Sequence, residues 1–157
     1  MTWVREQFTY HDLQRLLFKL SEKVKAFQGL SPAEIGEVLM HAEKCTFEPE
    51  MAIVKEGNIG THMYIIIDGE ASVTKQGRGG QVELARLGIT DSFGEMGLAD
   101  HETRSASVTA LTPCILVRLN DKIVNSRPEI GVKIYRNISR LLSSRLRTAD
   151  EALAWRL

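Results

Sequence analysis

The sequence is poor in cysteine, proline and aromatic residues, and it carries no excess charge of either sign. Its two cysteines, Cys45 and Cys114, fall in no C-x-x-C or Cys/His spacing. That excludes a thiolate metal knuckle and a disulfide-rich scaffold. Both read as reduced, small apolar residues of the interior. The four histidines, His11, His41, His62 and His101, form no H-x-H or H-x-x-x-H pair, so a metal-dependent barrel enzyme lacks its ligand set. His62 and His101 read as loop-surface residues. Lys+Arg and Asp+Glu each total 20, whereas a nucleic-acid binder usually shows a basic excess because phosphate contacts dominate its affinity. No apolar run approaches the roughly 20 residues needed to span a bilayer. The start, MTWVREQFTY, has no signal-peptide core. There is no nucleophile elbow and no G-x-x-x-x-G-K-[ST] loop. The expectation is a soluble cytoplasmic protein that is not an enzyme, with no metal, no cofactor, no direct nucleic-acid contact and no membrane span.

What is present suits one domain. The 157 residues are 43% hydrophobic, enough for a full core. Residues 8–45 read as helical. Leu13, Leu16, Leu17, Leu20 and Val24 recur at spacings of three and four. Ser31, Pro32 and Glu34 form a helix start with a capping box. Residues 46–118 read as short strands. MYIIIDGEASVTK breaks at Asp68-Gly69, a dipeptide favoured in tight hairpins, and QGRGGQ (76–81) is a second turn. From 119 the chain is helical again. Asn120 is expected to cap a short helix over 121–125, and Ser126 with Glu129 to form a box around Pro128. Ile130, Ile134, Ile138, Leu142, Leu146, Ala149, Leu153 and Leu157 then make one stripe, on a helix from about 128 to 155.

Residues 93–108, FGEMGLADHETRSASV, carry the chemistry. Gly94 has no Cβ and lets a ligand approach the backbone. Residues 95–99 can form one helical turn whose free N–H groups attract an anion. Arg104 adds a charged fork suited to phosphate, and Ser105 adds a hydroxyl. Glu95 repels an anion and should instead accept from a sugar hydroxyl. The alternative for this pair is a plain salt bridge between Arg104 and Glu95.

This stretch resembles the phosphate-binding cassette of cyclic nucleotide-binding domains, through Phe93, Gly94, Glu95, Met96, Gly97, Leu98, Arg104, Ser105, Ala106 and Val108. The likeness extends to Glu56, Gly57, Gly60, Tyr64, Ile66 and Gly69, and to PEIGVKIYRNISRLLSSRL (128–146). The family includes the catabolite activator protein, regulatory subunits of cyclic AMP-dependent kinase and nucleotide-gated channels. Thr90, Asn58 and Thr103 depart from its usual glycine, acid and proline.

The resemblance implies a mainly β fold: an antiparallel β-roll of jelly-roll type, with N-terminal helices and a C-terminal lid helix. It divides the chain into an N-terminal helical segment (1–26), the nucleotide-binding domain (27–146, with the roll over about 46–118) and a helical extension (147–157). It implies that Glu95 binds the ribose, and that Arg104, Ser105, Gly94, Met96 and Gly97 bind the phosphate. Val73, Leu84, Ser143, Ser144 and Arg145 are the base-pocket candidates. The ligand is a 3′,5′-cyclic nucleotide; Ser105 does not choose the base, and cyclic AMP is expected over cyclic GMP. The implied function is a bacterial-type sensor that signals through its last helix to an unidentified effector protein. No second DNA-reading unit follows the roll, so the effector is expected elsewhere. Beyond Ser144 the apolar stripe should seek a second helix, from a twin chain or a partner. Two other readings stand beside this one. One is a degenerate member that binds no nucleotide and serves protein–protein contacts. The other is a nucleic-acid regulator whose reading head is elsewhere.

Overall fold

The computed structural model describes residues 3–156; Leu157, the last residue of the predicted stripe, lies outside them. Thr9 opens α1 (Tyr10–Lys23) with a capping box that sequence reading missed. Its hydroxyl accepts from the Asp12 N–H, and the Asp12 carboxylate accepts from the Thr9 N–H. The leucines of α1 face the core, with Leu20 fully buried. A 3-10 turn (Lys25–Phe27) leads to α2 (Pro32–Met40), where Ser31 and Glu34 form the expected reciprocal box at 3.2 and 3.1 Å. The helical region stops there rather than at residue 45. β2 spans Glu43–Phe47, because Cys45 and Phe47 turn inward at a period of two. Ahead of α1, β1 (Val4–Glu6) pairs with β2. Three exposed residues carry no strand pattern, so a segment read as helical also contains a strand.

The remaining strands are β3 (Ala52–Val54), β4 (His62–Asp68), β5 (Ala71–Gly77), β6 (Gly80–Leu87), β7 (Ser92–Phe93), β8 (Ser107–Ala110) and β9 (Cys114–Asn120). A single-turn helix, α3 (Glu95–Ala99), lies between β7 and β8. Two antiparallel sheets form, ordered β1-β2-β9-β4-β7 and β3-β8-β5-β6. The fold is thus the expected antiparallel β-roll with flanking helices, though its strands extend from Glu43 to Asn120, beyond 46–118 at both ends.

The first sheet is buried on both faces. Met63, Ile65, Val117 and Leu119 meet the helices, while Tyr64, Ile66, Cys114 and Leu116 fill the core between the sheets. Unbroken apolar runs such as MYIII follow from that double burial. Both cysteines are free and buried, and burial pushes the Cys45 thiol up to about 11.

Asp68-Gly69 does not close a hairpin. β4 pairs with β7 and β9, while β5 pairs with β6 and β8, so this turn carries the chain from one sheet to the other. QGRGGQ does close a hairpin, with Gly77 opposite Gly80. Thr90 sits at φ 77°, a left-handed conformation unusual for a β-branched residue.

After β9, the Asn120 side chain accepts from the Lys122 N–H at 3.0 Å at the start of α4 (Lys122–Ser126). The Ser126–Glu129 box does not form. Ser126 is the last residue of α4, and its hydroxyl donates back to the Ile123 carbonyl, while Glu129 pairs with Arg127. Pro128 opens α5 (Pro128–Ala154) at its first turn. Ile130, Ile134 and Ile138 are buried, and the Asn137 amide donates to the carbonyls of Ala26 (3.0 Å) and Gln28 (2.8 Å). From Ser143 onward the described part of the helix is exposed. Among the described residues, no helix is long and apolar enough to cross a membrane.

Candidate functional site

A cavity of about 320 Å³ opens between the second sheet, the 93–106 segment and α5, a volume in the range of small-ligand sites. Gly94, Glu95, Met96, Gly97, Arg104 and Ser105 all line it. Val73 and Leu84 line its apolar side. Arg145 reaches it from α5. Ser143 and Ser144 do not line it; Ser144 faces the clefts between α5 and the 21–28 segment instead. One residue along a helix is about 100° of rotation, which is why neighbours of Arg145 point elsewhere.

Gly94 adopts φ 76° and starts α3. That conformation places Glu95 under the helix turn at 2% exposure. Both of its carboxylate oxygens have partners. Oε1 accepts from the Ser92 hydroxyl (2.9 Å) and from Arg145 Nη2 (3.2 Å), and Oε2 accepts from Arg145 Nη1 (3.1 Å). A two-pronged arginine–carboxylate pair of this kind is geometrically selective. The salt bridge weighed from the sequence, Arg104 with Glu95, is therefore replaced by Arg145 with Glu95.

Arg104 has no carboxylate partner among the described residues. Its Nη1 donates to the Gly94 carbonyl at 3.1 Å and its Nη2 to the His62 carbonyl at 2.6 Å. Burial lowers its pKa from the ordinary value, yet a guanidinium stays charged at neutral pH. The side chain is packed among glycines. A Cβ on Gly94 would stand 2.7 Å, and one on Gly97 2.6 Å, from Nη1, and one on Gly60 would overlap the guanidinium outright. Sequence reading assigned Gly94 to ligand approach and Gly97 to the phosphate, and missed that both also make room for the arginine. Behind it, the Arg104 N–H donates to the Asn58 carbonyl and its own carbonyl accepts from Gly57. These bonds clamp residues 57–60 to the cassette.

His62 is not a loop residue. It stands half-buried on β4, and its ring nitrogen Nδ1 lies 2.9 Å from the Thr61 hydroxyl and 3.4 Å from Arg118. Its role is invisible in the sequence because it acts through its backbone carbonyl. Ser92, on β7 three residues before Glu95, was also missed.

A half-buried cation without a counter-charge and a buried carboxylate thus border one cavity. The family model for the cyclic nucleotide-binding domain matches residues 44–126. The chain belongs to that family. This cyclic nucleotide-binding domain is 31% identical over 129 residues to the cyclic AMP receptor protein of Thermus thermophilus, covering 79% of this chain and 58% of the relative. It is 28% identical over 116 residues to a cAMP-dependent protein kinase regulatory subunit of Mycosarcoma maydis, covering 69% and 22%. Among solved structures, the domain superposes on the Thermus thermophilus catabolite activator protein with a TM-score of 0.77 at 30% identity, covering 83% of this chain and 62% of that one. The domain therefore spans less than two thirds of these relatives' length.

Proposed function

We propose that this domain is a regulatory sensor for a 3′,5′-cyclic nucleotide, with cyclic AMP preferred over cyclic GMP. The observation that carries the reading is Arg104: a buried-side guanidinium with only carbonyl acceptors, facing a cavity that also presents Glu95. An anionic phosphate supplies the missing counter-charge, helped by Ser105 and the N–H groups around Gly94 to Gly97. Across the cavity a ribose hydroxyl donates to Glu95. The preference for cyclic AMP is supported by the relatives named above, not by any base-reading side chain. The domain acts as a regulator rather than an enzyme, reading out to a partner protein in the cytoplasm.

The pair between Arg145 and Glu95 provides the signal. A ribose hydroxyl bound to Glu95 replaces an arginine that belongs to α5. Ligand binding then frees the distal half of α5 from the roll. The ligand does work because it prefers the helix position in which Arg145 has let go. The same pair favours a second reading, a module that binds no nucleotide, since Arg145 already takes the ribose position. The open cavity beside it argues for the first.

Thermal melting with cyclic AMP, cyclic GMP and linear AMP tests both. A ligand at about 100 times its dissociation constant adds roughly 2.7 kcal/mol, a shift of several degrees for a domain of this size. Arg104→Ala is expected to lose about 2–5 kcal/mol of binding, as when one member of a buried charge pair is removed. Unchanged affinity in that variant refutes the phosphate role. No shift with any nucleotide, on protein shown free of copurified ligand, moves the domain to the second reading.

A further inference from the structure

Arg104 borders a second cavity. Adjoining the candidate nucleotide site at Val54 and Arg104, about 300 Å³ lies between β3, β4, β9 and the 55–61 loop. Lys55, Arg104 and Arg118 line it with Asn58, Thr61, His62 and Tyr64, and no carboxylate does. Arg118 is balanced by Glu43, to which its Nη1 donates at 2.8 Å. Lys55 and Arg104 have no ion pair among the described residues. Two cations without an ion pair, Lys55 and Arg104, thus line one hollow together with the paired Arg118.

We propose that this outer cavity is a second anion site, taking a small phosphate-class anion held by Lys55, Arg104 and Arg118. Its walls select for such a ligand. An anion of several oxygens can accept from three cationic side chains at once, while a cation or an apolar group meets only repulsion or lost hydrogen bonds. Because Arg104 lines both cavities, an anion outside and a nucleotide phosphate inside compete for it. The outer anion thereby weakens nucleotide binding, and by linkage the nucleotide weakens the outer anion by the same factor. This competition rests on the proposed function; the outer anion site itself does not.

Inorganic phosphate, titrated against chloride at constant ionic strength, tests the proposal on the whole chain. The His62 ring and the Thr61 amide report the outer cavity by NMR, and the Gly97 and Ser105 amides report the inner one. The expected result is a saturable shift at His62 and Thr61, weakened about fivefold by Lys55→Ala, the effect of losing one exposed charge contact. Lys55→Ala leaves cyclic nucleotide affinity unchanged in phosphate-free buffer, and phosphate raises the apparent nucleotide Kd of the wild type. No saturable shift at His62 overturns the site. So does a shift confined to Gly97 and Ser105 that ignores Lys55→Ala, which puts phosphate in the inner cavity. If no cyclic nucleotide binds while phosphate still moves His62, the sensor reading falls and the outer site stands.

Discussion

His62 shows how a single residue takes its behaviour from its neighbours. Burial, and then the positive charges of Arg118 and Arg104, push its pKa down to about 4 against the opposing pull of Glu43. In the unfolded chain it titrates near about 6.5. Between these values the unfolded state binds more protons than the folded one. The stability contributed by neutral His62 is therefore complete above the unfolded value and is lost as pH falls towards 4. Denaturant midpoints measured from pH 7 down to 4 should decline, and His62→Gln should flatten the decline; an identical slope in the variant removes His62 as its cause. At this scale Glu95 and Arg104 were legible in sequence, because an acid and a base at fixed spacing around glycines carry their own chemistry. His62 was not, since its contact is a carbonyl and its pKa is set by residues far away in the chain. Ser143 and Ser144 were misplaced for a related reason: the residues of a helix around a contact cannot be ranked until its rotation about its axis is known.

Among the elements, α5 has two unlike halves. Its first half is held by Ile130, Ile134, Ile138 and the Asn137 amide against the 3-10 turn. Its second half meets the roll at Arg145, whose guanidinium is half exposed while the carboxylate that it grips is buried. That contact competes with the proposed ribose. Arg145→Gln should therefore raise nucleotide affinity and speed amide exchange over residues 143–154 in the ligand-free protein. Equilibrium titration and hydrogen-exchange mass spectrometry read the two effects. A loss of affinity instead shows that Arg145 holds the ligand and does not compete with it. The helix itself, its proline start and its apolar stripe were plain in the sequence. The failed box at Ser126 was not, because a capping signal is local and cannot tell that Ser126 closes the preceding helix.

For the molecule as a whole, the far end of α5 projects beyond the roll. Leu146 is 63% exposed, Leu153 59% and Trp155 90%. Leu146 and Leu153 are seven residues apart, the spacing of a two-helix seam. We expect the chain to pair with a second copy along this seam. Sedimentation should find a dimer, and Leu146→Lys with Leu153→Lys should yield a monomer that keeps its fold by circular dichroism. A wild-type monomer at high concentration, with and without nucleotide, rejects the seam.

The sequence by itself determined the layout of helices, roll and helices, the inward faces of the helices and, through its family resemblance, the identity of the cassette. These depend on residue type, period and spacing, which are properties of neighbours along the chain. The tertiary structure decided which strands share a sheet, so that Asp68-Gly69 became a crossing between sheets and not a hairpin. It also decided that Glu95 pairs with Arg145 across fifty residues, and that Arg104 stands between two cavities. Long-range partners are chosen by how the sheets and helices close on one another, and no local pattern encodes that choice.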